Sequence, residues 1–235
     1  MFTRRDLLGL GAAVPLLAQE KKLKVVVTGG HPDDPESGCG GTIAAYVQGG
    51  HSVTIVYLTR GEAGGGGKPA DETARLRTRE AEAACKILGA RPVFAGQIDG
   101  ATEVNAERYE SFRKILAAEE PDVLFTHWPV DRHRDHRAAS LLTDDYWRTL
   151  KVKPGFYYYE VMTGNQTQNF SPTDYVDITA TEGRKRDACF AHASQGPADF
   201  YRHHTKMNEF RGIEARARYA EGFVRYTGAP VGRLP

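Results

Sequence analysis

The chain has 235 residues, 40% of them hydrophobic, with 31 Lys and Arg against 30 Asp and Glu and a formal net charge of +1. That length suits one large domain with a sizeable core, and the charge balance argues against a nucleic-acid partner or a polybasic membrane contact. Three cysteines, Cys39, Cys85 and Cys189, are too few and too scattered for a disulfide framework or a cysteine-based zinc site, and Cys39 reads as a small buried packing residue.

Residues 1–19 read as an export leader. Thr3-Arg4-Arg5-Asp6-Leu7-Leu8 precedes a short apolar run, Gly9 to Ala18, too short for an ordinary membrane-spanning helix. The paired arginines point to the twin-arginine route, which predicts a periplasmic or secreted mature protein starting near Gln19 to Lys21. Residues 20–235 then form a single domain, and no other stretch is apolar enough to cross a membrane.

Val25-Val26-Val27 reads as a fully buried parallel strand. It breaks at Gly29-Gly30 into His31-Pro32-Asp33-Asp34. Gly38-Cys39-Gly40-Gly41-Thr42 leads into a helix at 43–47, stopped by Gly49-Gly50, and Ser52 to Thr59 is the next strand. The Gly-rich loop 61–67 follows as a candidate lid or pocket rim. Asp71 to Leu88 is helical with Gly89 as C-cap, carrying Arg75, Arg77 and Arg79, of which one facing the sheet edge could reach a substrate. Pro92-Val93-Phe94 is a short strand, and Gln97 to Gly100 a loop on the same edge. A helix over 105–118 precedes a strand at 122–126.

A second polar cluster, His127-Trp-Pro-Val-Asp131-Arg-His133-Arg-Asp135-His136, opens a helix running to Leu150. Phe156 to Val161 has strong strand propensity, and 174–178 reads as a short edge strand. Thr181 starts a helix through His192, and 199–223 reads as one further helix. Strand and helix alternate throughout, which predicts a doubly wound, mostly parallel α/β sheet with helices on both faces.

Ligands of such sheets sit at the carboxyl ends of strands. Two strand ends that each spill His and Asp predict one divalent-metal site built from both. Catalytic zinc takes three protein ligands and keeps one position for water. His31 and Asp34 with a His from the second cluster supply that set, and Asp33 stays free to take a proton from the water. The electrophile is then an amide, ester or phosphoryl group. His133, between Asp131 and Asp135, reads as an imidazole held by a carboxylate, able to stabilise an oxyanion or protonate a leaving amine.

With these residues in view, the chain resembles the PIG-L/LmbE-like family of metal-dependent N-deacetylases over most of 23–226. The resemblance is carried by His31-Pro-Asp-Asp34 with Gly38-Cys-Gly-Gly-Thr42, and by Leu58-Thr-Arg-Gly-Glu-Ala-Gly64. Arg77-x-x-Glu80 with Ala84 and Leu88-Gly89, and Thr126-His-x-x-x-Asp131-x-His133-x-Asp-His136, carry it further. His192-x-Ser-Gln195 and Tyr219-Ala-Glu-Gly-Phe223 look like the branch with an extended C-terminal region. The resemblance implies a Rossmann-like three-layer fold and one Zn2+ per chain, with Fe2+ or another divalent ion as alternatives. It implies His31, Asp34 and His136 as metal ligands, Asp33 as general base, His133 polarising the acetyl carbonyl, and Asp135 orienting His133. Arg77 and Asp99 match sugar contacts. Pro35 stands where many members carry an acidic residue, with Glu36 after it. His127, His192 and Gln195 are further candidates for the pocket wall.

The expected activity is hydrolysis of a linear amide, removing the N-acetyl group of an N-acetylglucosamine-type sugar or a related N-acylated amine. The substrate is a small molecule or oligosaccharide, no stable membrane anchor is expected, and a homo-oligomer is compatible with the sequence. The alternatives are a sugar-binding protein with an inactive metal site and, further off, a non-haem iron enzyme using the same two-His-one-carboxylate set.

Overall fold

The computed structural model describes residues 21–235; the expected export leader at 1–19 lies outside the described residues. Seven strands form one sheet. They are β1 (Lys24–Gly29), β2 (Ser52–Tyr57), β3 (Arg91–Phe94), β4 (Val123–His127), β5 (Gly155–Tyr159), β6 (Asp174–Asp177) and β7 (Ala220–Arg225), in the order β3-β2-β1-β4-β5-β7-β6. The first five are mutually parallel, while β7 runs antiparallel to both β5 and β6. The mostly parallel α/β sheet expected from the alternation of elements is therefore present.

Side-chain alternation along the strands divides the core into two layers. Val25, Val27, Ile55, Tyr57, Phe125 and Tyr157 face α1 (Asp34–Gln48), α2 (Ala70–Leu88) and α5 (Glu182–Phe190). Val26, Val56, Leu124 and Phe156 face α3 (Ala106–Glu119) and α4 (Arg134–Thr149), joined there by Leu116 and Trp147. Each fully buried aliphatic or aromatic side chain contributes about 1.5–3 kcal/mol, which is why these strands read as near-continuous apolar runs.

Two elements differ from expectation. Helix α1 begins at Asp34 and takes in the glycines read as a loop, with a non-helical kink at Cys39. Those glycines are helical because neighbours press on them. A Cβ on Gly41 would stand 2.6 Å from Ile178 Cγ2, and one on Gly38 would enter the Tyr159 ring. The helix expected over 199–223 is α6 (Pro197–Ala215), and the segment after it is β7. Arg216, with φ 58, ends α6 in the left-handed region and frees the chain to join the sheet. A 3-10 turn at Ala193–Gln195 separates α5 from α6.

Buried ion pairs tie this C-terminal part to the rest. Glu221 accepts from the Gly41 and Thr42 backbone N–H groups and from Lys185 Nζ at 2.7 Å. The Arg211 guanidinium donates two hydrogen bonds to Glu160. Among the described residues no helix is long and apolar enough to cross a membrane.

The strand order reverses at β1: the chain steps outward through β2 and β3, then returns to place β4 on the other side of β1. Crevices at such switch points are where open α/β sheets bind ligands. The two polar clusters leave the carboxyl ends of β1 and β4, so they meet there.

Candidate active site at the β1–β4 crevice

Gly29 and Gly30 end β1 and bring its loop against α4. A Cβ on Gly30 would stand 2.9 Å from His136 Cδ2, so the close approach of the two clusters requires a residue without one. His31 and Asp34 follow, both buried, and the His31 backbone N–H donates to Asp34 Oδ2 at 2.8 Å. Asp33 between them adopts φ 103, a left-handed conformation that side-chain-bearing residues rarely take.

Asp34 Oδ2 is the centre of the cluster. His31 Nδ1 lies 3.1 Å from it, His136 Nε2 3.2 Å and His127 Nε2 3.3 Å. The far nitrogen of each expected histidine ligand meets a carboxylate. His31 Nε2 stands 3.0 Å from both Asp135 Oδ2 and Asp99 Oδ1, and His136 Nδ1 stands 3.2 Å from Asp131 Oδ1. A carboxylate behind an imidazole fixes its tautomer and turns its other nitrogen to a metal. His127 is arranged differently. Its Nε2 accepts the Gly30 backbone N–H at 3.0 Å, so it braces the turn and has no lone pair to spare. Burial pulls its pKa down to about 4, which keeps it neutral.

The electrostatics favour positive charge here. Burial disfavours a charged His136, yet Asp34 and Asp131 lift its pKa to about 9. Burial likewise opposes His31, and Asp135, Asp34 and Asp99 together raise it well above the ordinary value. Asp34 is held well below the carboxylate range by His136 and His127 against its burial. Desolvation dominates at Asp33 and pushes it up to about 6, with Arg77 opposing. Sets of donors within 4.8 Å of one another comprise His31, His133 and His136; His31, Asp99, His133 and Asp135; and Asp34, His127 and His136. Imidazole and carboxylate donors in these numbers suit zinc and its borderline neighbours.

Asp135 is not the partner of His133. Its Oδ2 lies 4.0 Å from His133 Nδ1, against 3.0 Å from His31 Nε2, and it also accepts from Gly100 N–H and the Thr102 hydroxyl. His133 is the N-cap of α4: its Nδ1 accepts the Asp135 backbone N–H at 3.3 Å, leaving the ring proton on Nε2. Burial and the neighbouring His31 and His136 lower its pKa.

Arg77 is 4% exposed rather than solvated. Its guanidinium donates to Gly61 O at 2.9 Å, Pro32 O at 2.5 Å and Asp33 Oδ2 at 3.0 Å, so its donors are turned to the protein. Asp99 accepts from Ala63 N–H, and its own N–H donates to Glu62 Oε1, which ties down the Gly-rich loop.

A cavity of about 340 Å3 opens over this arrangement, lined by His31, Asp33, Asp34, Arg77, Asp99, His133 and His136 with Ala63, Gly64, Gln166 and Gln195. A smaller one of about 190 Å3 shares Asp33 and Asp34 and adds Val161, Met162, Phe200 and His204. Asp135, fully buried, lies behind the first. Gln166 is a participant that the sequence does not single out; Asp131, expected beside His133, instead meets His136, and Glu36 meets the Asp33 N–H.

Comparison with known proteins agrees with this site. The model of the PIG-L family, described as GlcNAc-PI de-N-acetylase, matches residues 26–147, and the chain belongs to that family. The diacetylchitobiose deacetylase of Thermococcus kodakarensis is 27% identical over 219 residues, covering 85% of this chain and 81% of the relative. The crystal structure of N,N'-diacetylchitobiose deacetylase from Pyrococcus horikoshii superposes with a TM-score of 0.79 at 26% identity, over 91% of this chain and 87% of that one. A 4-carboxy-2-hydroxymuconate hydratase from Pseudomonas putida reaches a TM-score of 0.80 at 22% identity, over 91% of this chain and all of the other. The last likeness is one of fold, and it shows that this fold carries more than one reaction. Family membership and the deacetylase relatives support an amide hydrolase.

Proposed function

We propose that the protein removes the N-acetyl group from an N-acetylglucosamine-type sugar or a related N-acylated amine, using one divalent ion held by His31, Asp34 and His136. The observation that carries this reading is the paired orientation of His31 and His136: each turns one nitrogen to Asp34 Oδ2 and rests the other on a carboxylate. Zinc bound to such a set supplies a water of near-neutral pKa and polarises a carbonyl oxygen. Family membership and the deacetylase relatives select an amide as the group attacked.

The residues of the chain do the rest. Asp33 lines both cavities beside Asp34, so its carboxylate takes the proton of the attacking water and returns it to the leaving amine. Its raised pKa keeps it a competent base near neutrality, and Arg77 fixes the angle of its carboxylate. His133 presents its Nε2 proton to the amide oxygen as negative charge develops there. Asp135 holds His31, and Asp131 holds His136. Asp99, with one oxygen on the rim loop and one on His31, is placed to meet a sugar hydroxyl at the cavity mouth. The substrate is a small sugar or oligosaccharide taken up outside the cytoplasm, following export by the twin-arginine route.

The test pairs elemental analysis of the purified mature protein with acetate release from a panel of N-acetylglucosamine compounds. About one zinc per chain is expected. Asp33→Asn is expected to keep the metal and lose about 10²–10⁴-fold in turnover. Zinc with no acetate from any member of the panel would favour a sugar-binding protein. A chain that takes up no metal on reconstitution would end this reading.

A further inference from the structure

The sequence motif His192-x-Ser-Gln195 has no task in the mechanism above, and it lies beyond the residues matched by the family model. Its polar side chains nevertheless reach Glu36 beside Asp33, helix α2 and the rim loop. His192, fully buried, places Nε2 3.2 Å from Oε1 of Glu36, also fully buried, as a close charge contact rather than an aligned hydrogen bond. Ser194 donates its backbone N–H and its hydroxyl to Glu80 of α2, at 2.8 and 2.6 Å. Gln195 Nε2 donates to Gly64 O of the rim loop at 3.3 Å.

Glu36 is the link to the chemistry. Its Oε2 accepts the backbone N–H of Asp33 at 3.2 Å, and its Oε1 accepts from the Tyr57 hydroxyl. Asp33 holds a left-handed backbone that only surrounding contacts can sustain. Three contacts do so: Arg77 on the carboxylate, Glu36 on the N–H, and the Ser37 N–H donating to the Asp33 carbonyl at 2.9 Å. A buried carboxylate keeps its place only while its own partners remain, and His192 is one of the two side chains that meet Glu36 Oε1.

We propose that His192, acting through Glu36, is a positioning residue that holds Asp33 in the geometry proton transfer requires. The Ser194 and Gln195 contacts anchor its segment to the wall of the same site. The role assigned to Asp33 rests on the deacetylase reading; the positioning itself does not.

The experiment compares zinc-loaded wild type with His192→Phe, Glu36→Ala and Glu36→Gln. Leu116→Ala, a core change in α3 on the opposite face of the sheet, serves as a comparator for lost stability alone. Zinc content, kcat and KM for the best substrate of the panel, and amide hydrogen exchange across 31–37 are measured on each. His192→Phe and Glu36→Ala are expected to lower kcat by at least about tenfold through misplacement of Asp33. KM is expected to stay within about twofold, zinc to stay at one per chain, and exchange across 31–37 to quicken. Glu36→Gln, whose amide oxygen still accepts the Asp33 N–H, is expected to recover part of the loss. Leu116→Ala is expected to lower the Tm while leaving kcat and exchange across 31–37 near wild type. An unchanged kcat or unchanged exchange in His192→Phe overturns the proposal, as does an equal loss in Leu116→Ala. If wild type releases no acetate, the deacetylase reading falls and the exchange measurement alone decides the positioning role.

Discussion

The parallel part of the sheet and its antiparallel C-terminal edge do different work. From β1 to α4 the chain places every expected ligand, the proposed base and the proposed oxyanion donor at two adjacent strand ends. From β6 onward it supplies no expected ligand, yet Lys185, His192, Arg211 and Glu221 are all buried against the first part. One region carries the reactive groups and the other fixes where they stand. Reactive residues are tied to strand ends by the geometry of the sheet, whereas a brace can come from wherever the chain passes close by.

This division predicts graded effects. His136→Ala removes a proposed ligand, so zinc is expected to fall below about a tenth of a mole per chain and acetate release to become undetectable, read by elemental analysis and product assay. Asp135→Asn leaves all three ligands but replaces the carboxylate on His31. Metal affinity is expected to weaken about 10–100-fold, measured by competition with a chromogenic chelator. An unchanged affinity would show that His31 needs no support from behind.

On the other side of the division, Glu221→Ala strands the buried Lys185 ammonium and the N–H groups of Gly41 and Thr42. Stability is expected to drop by about 3–5 kcal/mol in urea unfolding, with zinc stoichiometry retained in the protein that remains folded. The smallest effect concerns pH. His204 is buried, and desolvation lowers its pKa to about 3. The unfolded chain binds a proton near pH 6.5 that the folded one refuses, so stability is lost as pH falls from about 6.5 toward 3. His204→Asn is expected to lose about 2 kcal/mol less than wild type between pH 7 and pH 5.

What the sequence disclosed follows the same line. The placing of His31, Asp33 and Asp34 together was legible because an apolar β-branched run that stops at glycines and spills polar residues marks the carboxyl end of a buried strand, where ligands sit; the second cluster was legible as another strand end, and His136 within it only from the family resemblance. The mostly parallel sheet followed from alternation, whereas the strand order at the crevice did not. The pairing of Asp135 with His31 rather than with its near neighbour His133 was not legible, because the α4 N-terminus turns the Asp135 side chain back toward β1 and the 100–102 loop. The early start of α1 was hidden by glycines that would usually break a helix, and here they admit Tyr159 and Ile178. Strand β7 was hidden because Tyr219-Ala-Glu-Gly-Phe223 continues the mixed pattern of α6, and only the left-handed Arg216 separates them. Arg77 was expected at a sugar; that its guanidinium instead meets Asp33 and the Pro32 and Gly61 carbonyls was not legible, because tertiary packing sets it.

The seat of β7 between β5 and β6 sets an order on biosynthesis. A nascent chain has every proposed ligand in hand once residue 136 is made, but the sheet closes only when residues 220–225 arrive and pair with strands made long before. Until then β5 keeps an open edge, and Glu221 has not yet locked α1. Pairings this distant in sequence form slowly and leave strand edges exposed in the interim. The growing polypeptide therefore has the proposed donors well before it has the frame that fixes them, and the centre is framed only once β7 has paired.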